Sequence, residues 1–179
     1  GGSAVAVYNL ADNIQTMPMV VFGTSFAMAI FPTLSEKAAT RNFQDFSFYF
    51  TKTLRSIIFF MIPISLGLIM LRAQVIRLIL GSGFFGWQQT IDTANALGFF
   101  ALALVFTSLV PLLARSFYAL CNTKIPMIVT IITVIVSVIA GKLLSEKMGV
   151  SGLALAYSIG SFINALILWA VDYIFDFIN

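Results

Sequence analysis

The chain has no histidine, one cysteine and few charges. Histidine is the commonest general base, metal ligand and pH switch near neutrality, so its absence removes the usual starting point for acid–base and metal chemistry. The single cysteine, Cys121, cannot form an internal disulfide, and no zinc-ligand spacing exists. It sits beside a polar turn and is read as inert. No nucleophile–base pair, paired carboxylates or phosphate-binding loop appears. Gly81, Gly83 and Gly86 form a glycine-rich stretch, but no lysine follows and no strand precedes it, so it reads as a turn. No catalytic residue, metal site or cofactor is expected. Charged residues are 9% of the 179, where soluble domains run near a quarter. The net charge of +3 is too small and scattered for nucleic acid and suits a protein beside anionic lipid.

What fills the chain instead is apolar surface. Hydrophobic residues are 60% of the total and the mean hydropathy is +1.01. Four uncharged runs, residues 13–35, 93–114, 125–141 and 148–171, approach or exceed the roughly 20 residues that span a bilayer. A fifth, 56–71, is slightly short and carries Lys52, Arg55 and Arg72 at its ends. A helix satisfies its own backbone hydrogen bonds in hydrocarbon, and the runs do not alternate with period two as barrel strands do. The expected fold is therefore all-α, a polytopic transmembrane bundle of about five spanning helices. One transmembrane domain covers residues 1–179, with helices near 7–34, 48–80, 91–120, 127–144 and 150–177. No linker divides it. The chain opens Gly1-Gly2-Ser3 without a methionine, and it is expected to be a segment of a longer protein.

Prolines punctuate the helices. Pro18, Pro63 and Pro111 lie inside predicted spans and are expected to kink them, while Pro32 is expected to close the first. A hydrophilic loop is expected over 35–47. Arg72 and Arg77 read as snorkelling cations at a helix end, and Phe84, Phe85 and Trp87 as an interfacial anchor. Five spans put Lys37, Arg41, Lys52, Arg55, Arg115 and Lys124 on one side of the membrane. Arg72, Arg77, Lys142 and Lys147 fall on the other. Six against four, with four near the first loop, places that loop in the cytoplasm.

Some residues within the spans are polar. In the first helix Asn9, Asp12, Asn13, Thr16, Val20, Gly23, Thr24 and Ala27 follow helical spacing and form one polar-to-small face, with Gln15 beside it. Two readings fit Asp12. It lines a cavity as an ion, proton or substrate contact, or it caps a helix start where an acid favours the dipole. Arg115 likewise reads as a snorkelling anchor or as a cavity cation for an anionic headgroup. Thr130, Thr133, Ser137 and Gly141 form a stripe on the fourth helix. Gly152, Ala156, Gly160 and Asn164 recur every four residues on the fifth. Such spacing favours close helix packing.

Three stretches carry a resemblance. Ala11-Asp12, Pro18, Phe22-Gly23 and Pro32-Thr33-Leu34-Ser35 stand at the spacing of the MurJ/MviN-type lipid II flippase signature. LVPLLARSFYALCNTKIP (109–126) resembles a second family motif, and LRAQVIRLILGSGFFGW (71–87) resembles the segment between them. The resemblance covers nearly all of the chain. It implies a fold of fourteen helices in two lobes, of which this chain is the eighth to twelfth, within the wider superfamily of multidrug and polysaccharide exporters. It implies alternating-access transport of the lipid-linked peptidoglycan precursor across the bacterial cytoplasmic membrane, and no enzyme activity. The implied partners are that precursor, membrane lipids and the missing helices of the transporter. Asp12, Asn13, Gln15, Thr16 and Arg115 become the candidate cavity or substrate residues. Where the family has a cavity-lining arginine after Ala-Asp, this chain has Asn13. Where some members place asparagine and aspartate near a sodium site, the matching face offers Ser137 and Gly141. The alternative within the superfamily is export of drugs or of polysaccharide-linked lipid, since shared architecture does not fix cargo.

Overall fold

The structure is a computed structural model that describes residues 2–80 and 87–178. The described residues are almost entirely helical. The first spanning helix is α1 (Gly2–Pro18), a π-helical turn (Met19–Thr24) and α2 (Ser25–Ala39) in continuous succession. Then come α3 (Phe43–Leu80), α4 (Trp87–Ala119), α5 (Lys124–Met148) and α6 (Val150–Ile178). Among the described residues five helices are long and apolar enough to cross a membrane, which makes this a multi-pass membrane protein. The glycine-rich turn and its Phe84 and Phe85 lie outside the described residues.

The helices outrun their expected bounds. The loop expected over 35–47 shrinks to three residues, and Pro32 does not close the helix but lies inside α2. Ser35–Ala39 holds Glu, Lys and Ala, all good helix formers; their polarity marks exit from the bilayer rather than the end of the helix. The stop comes at Arg41, in the left-handed region with φ 53°, where the Asn42 and Arg41 amides donate to the carbonyls of Lys37 and Ala38. That is a Schellman closure. Asn42 then caps α3: its side-chain oxygen accepts from the Asp45 amide at 3.2 Å and its amide donates to the Asp45 carboxylate at 3.0 Å. The α4–α5 turn repeats the device. Cys121 takes φ 57°, and the amides of Asn122 and Cys121 donate to the carbonyls of Phe117 and Tyr118. Pro126 falls in the first turn of α5, where its missing N–H has no partner to lose.

α4 is the axis of the bundle, with α1, α2, α3 and α6 packed around it; α5 packs chiefly on α6. One apolar core joins Leu34, Phe50, Ile57, Met61, Leu104, Leu113 and Phe117, and a smaller one joins Ala11, Ile76, Leu97, Phe100 and Ala154. The π-turn lies against α4 at their tightest approach. A Cβ on Gly23 would come 2.7 Å from the Ser108 carbonyl oxygen, so only glycine fits there. α3 and α4 stay helical through Pro63 and Pro111, whereas Pro18 leads directly into the π-turn.

Candidate functional site

The polar residues of α1 do not share one face. Asn9, Asn13 and Val20 are exposed, Asp12 and Thr16 are half-buried, and Gly23 and Ala27 are buried. Asn9, Asp12, Asn13 and Thr16 all precede the π-turn and differ only by their place across the α1 face, whereas the π-turn accounts for the burial of Ala27 beyond it. A wider turn breaks the 3.6-residue register, so positions before and after it no longer align. Asp12 lies ten residues into α1, about 15 Å from its start, beyond the first turn where a helix dipole acts. The capping reading of Asp12 therefore falls, and a half-buried acid within a span remains.

Gln15 points inward and is 1% exposed, and neither its amide nitrogen nor its amide oxygen has a hydrogen-bond partner. Its surroundings are polar. Asp12 is close enough to Tyr8 and Tyr157 to act on both hydroxyls, and Thr107, Ser161 and Gln15 surround the Tyr157 hydroxyl. Gln15 thus sits near these groups without reaching hydrogen-bond geometry with any of them. A buried amide of this kind normally has a partner.

Beside this cluster, a cavity of about 690 Å³ opens between α1, α4, α5 and α6. Tyr8, Thr107, Tyr157 and Ser161 form one wall. The α5 stripe of Thr130, Thr133, Ser137 and Gly141 forms the other, with Lys142 and Ser145 further along it. The two small-residue stripes meet: Gly160 lies directly on the Ser137 hydroxyl, and the Asn164 amide donates to the Thr133 hydroxyl at 3.2 Å. Both stripes therefore pack the α5–α6 pair and line the cavity. The Asn164 side-chain oxygen is buried there without a partner. A larger hollow, about 980 Å³, lies elsewhere, on α3.

Arg115 does not join the cluster. Its guanidinium donates to the Thr24 carbonyl at 3.1 Å, at the end of the π-turn, and the side chain is half-buried. Thr24 is twelve residues beyond Asp12, about 18 Å along the helix. Arg115 ties α4 to the first spanning helix at a carbonyl beside irregular backbone. Of the candidate residues, the structure brings Asp12 and Gln15 together, leaves Asn13 exposed and Thr16 half-buried, and sets Arg115 apart. Sequence reasoning missed Tyr8, Tyr157, Thr107 and Ser161. A tyrosine in the small-residue run of α6 was the available signal, because a phenol hydroxyl within a membrane seeks a partner.

Comparison with known proteins places this arrangement. The family model described as "Lipid II flippase MurJ" matches residues 1–173. The chain belongs to the MurJ family. Among its relatives, a probable lipid II flippase MurJ of Thermotoga maritima is 30% identical over 158 residues, 87% of this chain and 32% of that protein. A lipid II flippase MurJ of Thermosipho africanus is 29% identical, covering 88% and 32%. A solved structure titled "Lipid II flippase MurJ, inward closed conformation" superposes with a TM-score of 0.85 at 29% identity, over 98% of this chain and 38% of the other. The chain spans about a third of the length of the curated relatives it matches. The helical bundle of this chain is thus part of a MurJ membrane fold.

Proposed function

We propose that this chain forms most of the second lobe of a lipid II flippase in the bacterial cytoplasmic membrane, and that it works with the remaining helices of the transporter. The observation that carries the reading is the superposition of 98% of the chain on a MurJ flippase, with sequence identity of 29%. Flipping needs no covalent chemistry. It needs two lobes that rock about a polar cavity, opening it to each leaflet in turn. α1 supplies the polar surface for such a cavity. Asn9 and Asn13 face outward from the bundle, where an opposing lobe would stand, and Asp12 lies between them and the buried Gln15. Asn13 offers hydrogen bonds but no charge at the position the family fills with arginine. Arg115 serves this reading indirectly, by holding the π-turn that sets how α1 leans on α4.

The test is rescue of cells depleted of their own lipid II flippase by the full-length protein that carries this segment. Wild type should restore growth. Asp12→Ala with Asn13→Ala should insert normally but export lipid II roughly ten- to hundredfold more slowly, as expected for losing hydrogen bonds to a charged group worth about 1.5–3 kcal/mol. Full rescue by the double variant would remove these residues from the cavity. Failure of wild type at normal membrane abundance would remove the flippase reading.

A further inference from the structure

α3 carries an open cationic and aromatic face that the flippase reading does not use. At 38 residues α3 runs about 57 Å, well beyond a hydrocarbon core of about 30 Å. Its uncharged stretch, 56–71, is about 24 Å long and is bounded by Arg55 and Arg72. With side chains reaching outward, those two arginines mark the two headgroup levels. They are not equivalent. Arg72 lies against α4, its guanidinium over Gly98, where a Cβ would stand 2.5 Å from it. Arg55 has no such cover.

Lys52 and Arg55 are one helical turn apart on the same face, both exposed. Among the described residues neither side chain has an ion-pair partner. Near this end of α3 Lys37 sits with Glu36 at 3.9 Å and Asp45 at 3.4 Å. The two cations stand in the hollow of about 980 Å³, which Thr51, Ser56, Phe48 and Phe59 also line. No carboxylate lines it. Phe59 is 73% exposed and Phe48 62%. On the bilayer side Phe59 meets Phe60, which stacks on Phe22 with ring centroids 5.3 Å apart, giving a broad aromatic floor.

We propose that this face of α3 binds an anionic phospholipid, with its phosphate between Lys52 and Arg55 and its acyl chains along Phe59 and Phe60. Charge complementarity selects the sign of the ligand. The level of the cations, at the edge of the apolar stretch, matches a headgroup phosphate. The exposed rings just below select a lipid over a soluble anion, which would gain nothing from them. The Lys and Arg distribution places this end of α3 in the cytoplasm, where a leaflet rich in anionic lipid attracts basic side chains. The proposal stands independently of what the transporter carries.

The experiment uses the full-length protein in synthetic vesicles of phosphatidylglycerol and phosphatidylcholine, equal in amount, with no other lipid. A photoreactive benzoyl-phenylalanine replaces Phe59, and cross-linked lipid is identified by mass spectrometry. Phosphatidylglycerol should be captured up to about thirtyfold over phosphatidylcholine, roughly fivefold for each of the two cations. Lys52→Gln with Arg55→Gln should return the ratio to one. Lys52→Arg with Arg55→Lys should preserve it, which separates charge from folding. Equal capture by wild type overturns the proposal. So does a preference that survives the neutral variant, or cross-linking to protein in place of lipid.

Discussion

α4 and α5 are near-equal in hydropathy, yet 61% of the most apolar stretch of α4 is buried against 17% of that of α5. In water, apolar residues are driven inside; in a bilayer the lipid is as apolar as leucine, and hydropathy no longer says which helix is central. Side-chain size and hydrogen bonding decide instead. α4 presents Ala96, Ala101, Ala103, Ser108 and Ser116 to its neighbours, all fully or almost fully buried. Backbones can then come close enough for hydroxyls to reach carbonyls across the interface. Ser65 of α3 donates to the Ala101 carbonyl at 2.6 Å, and Ser158 of α6 donates to the Phe99 carbonyl at 2.8 Å. α5 carries branched side chains nearly all round. Ile128, Ile131, Ile132, Ile135, Val138 and Ile139 are exposed, and it meets α6 along its narrow Thr133–Ser137–Gly141 stripe and at Leu144–Ser145, where Gly152 lies close.

The sharpest way to break this contrast is to put bulk where α4 is approached most closely. Gly23→Leu would drive a side chain into the Ser108 backbone, which cannot rotate aside. A loss of about 3 kcal/mol is expected, the upper range for overpacking, read as a lower midpoint in detergent unfolding and a lower membrane level. Gly67→Leu is the control. It sits on α3 with open space around it, and the midpoint should move by less than about 0.5 kcal/mol. Equal effects at the two glycines would show that the α1–α4 approach is not what holds the bundle.

Hydrogen bonds sharpen the comparison at smaller scale. Ser65→Ala and Ser158→Ala should each destabilise by about 0.6 kcal/mol, the average for side-chain bonds between membrane helices. Asn164→Ala should stay within about 0.5 kcal/mol of zero. It removes the bond to Thr133 but also removes a buried oxygen that has no partner, and the two effects oppose. A larger loss at Asn164 than at Ser65 would show that the cavity beside α5 holds a partner for that oxygen.

Much of this arrangement was legible in the sequence, and the gaps have physical causes. The five spans follow from uncharged length, because lipid leaves no other solution for backbone polarity. The Arg55–Arg72 bracket on α3 was readable for the same reason. Helix ends were not, because Glu36, Lys37 and Ala38 are polar enough to read as loop yet propagate a helix that has already left the bilayer. The π-turn was invisible: Pro18 signalled a disturbance, but nothing local says that it is resolved by widening a turn rather than by bending. That one feature turned Ala27 inward, and with it went the expectation that Ala27 would look the same way as Asn9 and Asn13. Gln15 and Asp12 were found because polarity within a span is rare. Tyr157 was passed over because the polar groups gathered near it come in part from α1 and α4, 142 and 50 positions away at Gln15 and Thr107.

The smallest effect is the most telling for α5. Ile131, Ile135 and Val138 are all more than half exposed on this bundle. If lipid covers them, leucine is an equal exchange, since the side chain stays apolar and no packed neighbour has to move. The triple variant Ile131→Leu, Ile135→Leu, Val138→Leu in the full-length protein should therefore shift the unfolding midpoint by less than about 0.5 kcal/mol. Val138 also lines the cavity, so it is the position where a difference would first be felt. A loss above about 1 kcal/mol would mean that protein rather than lipid packs on this face. The low burial of α5 would then reflect a helix partnered by the rest of the transporter, and hydropathy would have misled on both helices for one reason: neither side chain count nor apolarity records what stands opposite.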